Sequence, residues 1–353
     1  MPLPTIPDYT SSIKVPQLVH PPLLQGGHPV EKGNNVVKYT GGFCVVFPYT
    51  TPSNKYAVRC WHAEISDAKK RTQLIATALK ESNLPYFVGF EFFEDGIITP
   101  QGSQPVVVMD WVDAKPLKIY IDQNLGKVDV LNRLTENFKK MVFELHQHRF
   151  SHGDLQHGNI LVRPDDSLVL VDYDSMYVPA LEGMDDEIKG LPGYQHEARM
   201  INDTLSEKAD YFSELVIYTT LKTLACDPTY WYKLRMADSE TLLFSAEDIH
   251  SKGKTTIFRE LRNIPEVSPL VDVICEYMGY SSIDQLRPLE KSVIIPSEAI
   301  SSKWADGNGY TPSIVQGHID NSNDITDKWG KGNGYKSPDQ KVTAAEIGAK
   351  WRR

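Results

Sequence analysis

The 353-residue chain carries 37 Lys and Arg against 46 Asp and Glu, a net charge of −9, with 41% hydrophobic residues. No basic stripe is evident, which argues against nucleic acid as the main partner. The N-terminus does not read as a signal peptide and no apolar stretch reaches membrane-spanning length, so the expectation is a cytoplasmic protein with no membrane partner. The four cysteines, Cys44, Cys60, Cys226 and Cys275, show neither metal-ligand spacing nor a disulfide framework.

Taken in order, residues 1–25 are rich in proline (Pro2, Pro4, Pro7, Pro16, Pro21, Pro22) and predict an extended arm, loose or lying along the first lobe. Residues 34–61 predict three strands, with a Thr40-Gly41-Gly42-Phe43 turn after the first and a Pro48 to Asn54 turn before the third. Ala68, Leu74, Ile75, Ala78 and Leu79 recur at helical spacing and predict a helix over 67–81. Two more strands are expected over 87–93 and 105–112. Leu131, Leu134, Phe138, Val142 and Leu145 define a long helix. His146 and His148 at its end are expected as capping or surface residues, not metal ligands.

Next comes Ser-His-Gly-Asp-Leu-Gln-His-Gly-Asn, residues 151–159. Two β-branched, apolar runs follow, 160–162 and 168–171, split by the turn residues Pro164 to Ser167. A hairpin there leaves Asp172 at its exit and draws Asp154, Asn159 and Asp172 together. Hard oxygen donors of this kind suit Mg²⁺, which brings a nucleotide's phosphates with it. Asp154 is then free to orient a hydroxyl nucleophile.

This constellation resembles the catalytic core of the protein-kinase-like superfamily. His152-Gly153-Asp154, Asn159 and Asp172-Tyr173-Asp174 stand where that family carries His-Arg-Asp, Asn and Asp-Phe-Gly. The resemblance covers roughly residues 30–290 and implies an α+β, two-lobed fold. Residues 26–112 would form a β-rich N-lobe and 113–295 a mostly helical C-lobe, with the arm 1–25 before and a repeat tail 296–353 after. It implies ATP and Mg²⁺, with Asn159 and Asp172 on the metal. Gly41 and Gly42 would cover the phosphates, and Arg59, in the position of the family's lysine, would grip them. Backbone groups of Asp110, Trp111 and Val112 would hold adenine, with Met109 as gatekeeper. His152 would be structural, and Asp210 would brace the catalytic loop, or cap the helix it precedes.

The departures are informative. Only one of three glycines is kept in the phosphate-covering turn. Ile75, with Gln73 nearby, falls where the family's helix glutamate stands, so the usual ion pair is expected to be absent, with Glu64 or Asp67 as possible substitutes. Gly190-Leu191-Pro192-Gly193-Tyr194 resembles the end of an activation segment, but the Ala-Pro-Glu after it is degraded to His196-Glu197-Ala198. Gly153 removes the Arg that holds a phosphorylated loop, so phosphate-dependent switching of the usual kind is not expected.

Three functions compete. A Ser/Thr protein kinase is favoured by the retained polar triad. A pseudokinase scaffold is favoured by Arg59, the missing glutamate and the eroded glycine turn. A small-molecule kinase is favoured by His-Gly-Asp, the form found in aminoglycoside and choline kinases. Ile-x-x-Lys-Trp occurs three times in the tail, ending at Trp304, Trp329 and Trp351. These repeats could dock into a protein partner or pack back onto the lobes.

Overall fold

Alternation organises the N-terminal half. Along Cys44–Thr50 and Lys55–Trp61, residues of opposite parity face opposite sides of one antiparallel pair, with Val46 opposite Arg59 and Val45 opposite Cys60. In the computed structural model, which describes residues 3–63 and 67–293, these strands centre a six-stranded antiparallel sheet. The order is His28–Pro29, Cys44–Thr50, Lys55–Trp61, Gly102–Asp110, Phe90–Thr99, with Tyr39–Thr40 also paired to Cys44–Thr50. The chain divides into two units, Met1–Ile295 and Pro296–Arg353. The Trp304, Trp329 and Trp351 repeats and Glu64 lie outside the described residues.

One face of the sheet buries Val45, Phe47, Val58, Cys60, Val106 and Val108 against Tyr9, Ile13, Val19 and Leu24 of the arm. The arm is not extended, as its prolines suggested. It begins with helix α1 (Ile6–Ser12), capped by a reciprocal Thr5/Asp8 box, with a proline in its first turn. Proline is tolerated there because the first-turn N–H groups have no helical partner anyway. Tyr9 Oη donates to the Trp61 carbonyl at 2.9 Å, tying the arm to the strand that carries Arg59. The opposite face carries Cys44, Val46, Arg59 and Trp61.

Helix α2 (Ala68–Ser82) forms within a residue of expectation and buries Arg71, Thr72, Ile75 and Leu79. The two later strands are shifted and longer, Phe90–Thr99 and Gly102–Asp110, with a register break between Phe93 and Ile97. The C-terminal part is helical around α3 (Leu117–Gln123), α4 (Val128–Gln147) and α5 (Tyr211–Cys226). All five spaced apolar residues of α4 are buried, and α5 is buried on nearly every side. The expected hairpin is present, Ile160–Val162 against Leu168–Leu170, with Lys115–Pro116 as a third strand. The result is a β-rich lobe joined to a helical lobe. Among the described residues no helix is long and apolar enough to cross a membrane.

His146 is neither a cap nor a surface residue. It is buried between Glu214 and Glu290, with Nε2 and Nδ1 each 2.9 Å from a carboxylate, and the Tyr211 ring lies 5.0 Å away. Burial lowers its pKa, but the two carboxylates outweigh burial and lift it from 6.5 to about 9. Burial also raises Glu214, to about 7, against the pull of His146. A base whose folded pKa is raised adds stability below its unfolded pKa and loses it as pH rises through the folded one. Raised Glu214 has the same sign. The stability difference between wild type and His146→Gln, read from urea unfolding, is expected to be on the order of 2 kcal/mol below pH 6.5 and to vanish above about pH 9. A difference independent of pH would overturn this ion-pair account.

Candidate functional site

The site grows from the loop between α4 and the hairpin. Ser151 exchanges backbone hydrogen bonds with Tyr177, at 3.1 and 2.9 Å, and so enters the loop clamped. Asp210, at the start of α5, does not cap its own helix with its side chain. Its buried carboxylate accepts the His152 N–H and, at 3.0 and 3.2 Å, the Gly153 N–H. Burial raises the Asp210 pKa, opposed by His152, Arg199 and these two amides. His152 Nε2 lies 3.0 Å from the Val171 carbonyl and ties the loop to the strand leading into Asp172. Both structural roles implied by the resemblance correspond to contacts in the fold.

Gly153 has φ +77°, and a Cβ there would fall onto the Ser175 carbonyl. The site has no room for the arginine that the family carries, which is a packing reason for the departure. Asp154 follows, half-buried. Asn159 Nδ2 donates to its backbone oxygen at 2.9 Å and to Oδ2 at 3.0 Å. Oδ1 accepts the Leu191 N–H at 2.8 Å, so the segment 190–194 rests on Asp154. Val171 N–H donates to the Asn159 carbonyl at 3.0 Å, linking Asn159 to the residue before Asp172. Asp172 takes a left-handed φ of +69°, and its side chain is 56% exposed. Tyr173 buries its ring edge-on to Phe87 and Phe90, with its hydroxyl donating to Leu170 O at 2.6 Å. The fold thus bonds Asn159 to Asp154 and joins Asn159 to the residue before Asp172.

Arg59 is 97% buried (3% exposed) and its charge is held by Asp174, with Asp172 Oδ1 at 3.7 Å. Among the described residues no acid of α2 pairs with Arg59, in line with the expected absence of the usual helix pair; its partner is instead the third position of Asp172-Tyr173-Asp174. Asp67 is the N-cap of α2, not the substitute. Helix α2 contributes Arg71 instead of an acid. Its guanidinium donates to Asp185 O at 2.8 Å and to Asp174 O at 3.3 Å, so it secures the backbone of the residue that pairs with Arg59. Ile75 is core.

The turn and the strand end that the resemblance assigns to the nucleotide are both described. Gly41 N–H donates to the Cys44 carbonyl at 2.9 Å, closing the turn. Neither Gly41 nor Gly42 has a left-handed φ, and a Cβ on Gly42 would meet nothing within 4 Å. The turn therefore does not itself demand glycine, and the open space suits close approach of a ligand. In the hinge, Asp110 N–H donates to Gly89 O at 3.0 Å and Trp111 N–H to Lys55 O at 3.1 Å. Those two amides are satisfied inside the protein, so any backbone contact of this segment to a ligand falls to its other groups. The Trp111 ring instead faces Tyr39, centroids 6.5 Å apart.

Sequence reasoning missed Arg199, which is fully buried. It pairs with both oxygens of Asp186, at 3.2 and 3.3 Å, and donates to the Gly153 carbonyl. His157 in the loop bonds the Tyr194 hydroxyl at 2.8 Å, and burial drops its pKa to about 4, so the ring is neutral.

Among the described residues no three His, Cys, Asp or Glu side chains cluster as a metal site. The donor set nevertheless fits Mg²⁺ carried on phosphates: Asp172 is exposed, and Asn159 uses its amino group on Asp154, so its oxygen could serve a cation. Removing the acid of a buried pair leaves an uncompensated charge, so Asp174→Ala is expected to destabilise by about 3–5 kcal/mol. Asp172→Ala, at an exposed carboxylate, is expected to stay within about 0.5 kcal/mol of wild type. Chemical denaturation of both variants checks this, and equal stabilities would remove Asp174 as the anchor of Arg59.

A family model described as the ABC1 atypical kinase-like domain matches residues 97–180. That span runs from the end of the Phe90–Thr99 strand through the hinge, α4, the Asp154 loop and the hairpin to just past Asp174. No curated protein sequence matches the chain. The β-rich lobe, the helical lobe, the Asp210-braced loop and this match over residues 97–180 make the chain similar to the protein-kinase-like superfamily.

Proposed function

We propose that the chain is an ATP-dependent phosphotransferase that moves the γ-phosphate of ATP to a hydroxyl of a protein substrate. The observation that supports this is the hydrogen-bonded Asp154 and Asn159 on a loop fixed by Asp210, together with the Arg59 charge held beside Asp172 at the exit of the hairpin. Such a site has little covalent work to do; positioning and charge neutralisation supply the acceleration. Asp154 orients the acceptor hydroxyl and takes its proton. Asn159 and Asp172 hold Mg²⁺, which neutralises phosphate charge. Arg59 faces the phosphates while Asp174 keeps its fork in place. A protein acceptor is supported over a small one by the 190–194 segment, which lies on Asp154 through the Leu191 amide and offers a platform for a chain.

A scaffold without catalysis is the second reading. It is supported by the same Leu191 contact, since both Asp154 oxygens already have donors. In either reading the Trp304, Trp329 and Trp351 repeats serve as docking segments for a protein partner, Trp being a favoured interface anchor. Four free cysteines accord with a cytoplasmic protein.

Thermal unfolding with Mg²⁺-ATP distinguishes the two. At a hundred times Kd, binding to the native state should add about 2.7 kcal/mol, seen as a higher Tm. Asp172→Ala should lose that shift. Asp154→Asn should keep it while losing phosphate transfer to protein. No shift at millimolar nucleotide sinks the phosphotransferase reading and leaves the scaffold.

A further inference from the structure

Gln195 lies one residue beyond the platform segment and is 95% buried (5% exposed). Its Oε1 accepts from the Arg199 guanidinium at 2.5 Å. Arginine can only donate, so this contact fixes which end of the amide is which. The amino end, Nε2, then points away from Arg199 and has no hydrogen-bond partner in the protein. It is directed at Gly190. A Cβ built on Gly190 would sit 2.7 Å from Gln195 Nε2, 2.8 Å from Asp154 Oδ1 and 3.0 Å from the Gly153 carbonyl oxygen. One unsatisfied donor and the carboxylate proposed to take the acceptor's proton therefore converge on the same small region. Gly190, at φ +76°, covers that region with its bare backbone, packed against all three atoms more closely than a side chain would allow.

A buried amide left without a partner costs about 1–3 kcal/mol, so a site that keeps one gains when a ligand oxygen arrives. We propose that Gln195 is a further catalytic residue of this site, its Nε2–H donating to the oxygen of the acceptor hydroxyl beside Asp154. This rests on the phosphotransferase reading above and deepens it. A hydroxyl has one proton and two lone pairs. The proton goes to Asp154, one lone pair attacks the γ-phosphorus as the bond to the leaving ADP oxygen breaks, and the other accepts from Gln195. Three fixed directions at one oxygen orient it for in-line attack. Oδ1 of Asp154 is held by the Leu191 N–H until the acceptor enters. The turn at Gly190–Leu191 is thus the part that yields, while Gln195 and Arg199 stay in place.

Two substitutions separate this role from a structural one. Gln195→Glu keeps an oxygen for Arg199 and removes the donor. Gln195→Met removes both. Phosphate transfer from radiolabelled Mg²⁺-ATP to the full-length chain itself and to histone is measured, alongside the nucleotide-induced Tm shift. Both variants are expected to lose roughly tenfold to a hundredfold in transfer, the worth of one hydrogen bond in the reacting complex, with the Tm shift by Mg²⁺-ATP intact. Transfer by Gln195→Glu at the wild-type rate overturns the assignment and leaves Gln195 as support for Arg199. Loss of the Tm shift in both variants also overturns it, since the fault then lies in the nucleotide site. Wild type that binds Mg²⁺-ATP but transfers to neither acceptor overturns the underlying reading and the assignment together.

Discussion

A guanidinium buried in a sheet must be neutralised, and the solution found for Arg59 shapes the site. A charge removed from water without a partner is several kcal/mol unfavourable, so some carboxylate has to reach the middle of the Lys55–Trp61 strand. Here the acid is Asp174, two residues after Asp172 on the loop that leaves the hairpin. That choice places the Asp172 loop against the sheet and removes the need for an acid on α2. The helix is then free to carry Arg71, whose contacts go to carbonyls of Asp174 and Asp185. The strand, the loop and the helix are joined by charge and hydrogen bonds in a different pattern from the one that the resemblance implied, yet the same three elements meet.

The same logic holds on the helical side. Gly153 cannot bear a side chain, so no arginine can reach out from the loop. The cation arrives from the other direction, as Arg199, and its counterion is Asp186 from the acidic run after Asp172. A permanent carboxylate thus occupies the role that a phosphate would fill in a switchable segment. The segment is closed onto the loop by Leu191, which bonds Asp154, and by Arg199, which bonds the Gly153 carbonyl and Gln195. The unfilled valence in that assembly is the Gln195 amide.

Much of the fold was legible because its signals are local. The five spaced apolar residues of α4, the β-branched runs of the hairpin and the Asp154, Asn159 and Asp172 spacing each depend on residues within about twenty positions. Asp210 was legible only through resemblance, since its work is done on backbone amides 57 and 58 positions away. The ion pairs that could not be read share one cause, distance along the chain. The partner of Arg59 is 115 positions distant, and those of His146 are 68 and 144 away. An acid at Asp174, where the family has glycine, was the available signal for the first. The helical arm was hidden by its prolines, although Thr5-x-x-Asp8 is a capping box in plain view.

The arm carries a practical consequence. A reader guided by the kinase-like motifs alone would begin the domain near residue 26 and discard what precedes it. That cut would uncover the sheet face carrying Val45, Phe47, Val58 and Val106, and leave the Trp61 carbonyl without its donor. A contiguous apolar surface of that kind invites self-association in solution. Tyr9, Ile13, Val19 and Leu24 are therefore part of the globule's inside, and a version lacking them would be expected to fail by precipitation before any question of chemistry could be asked of it.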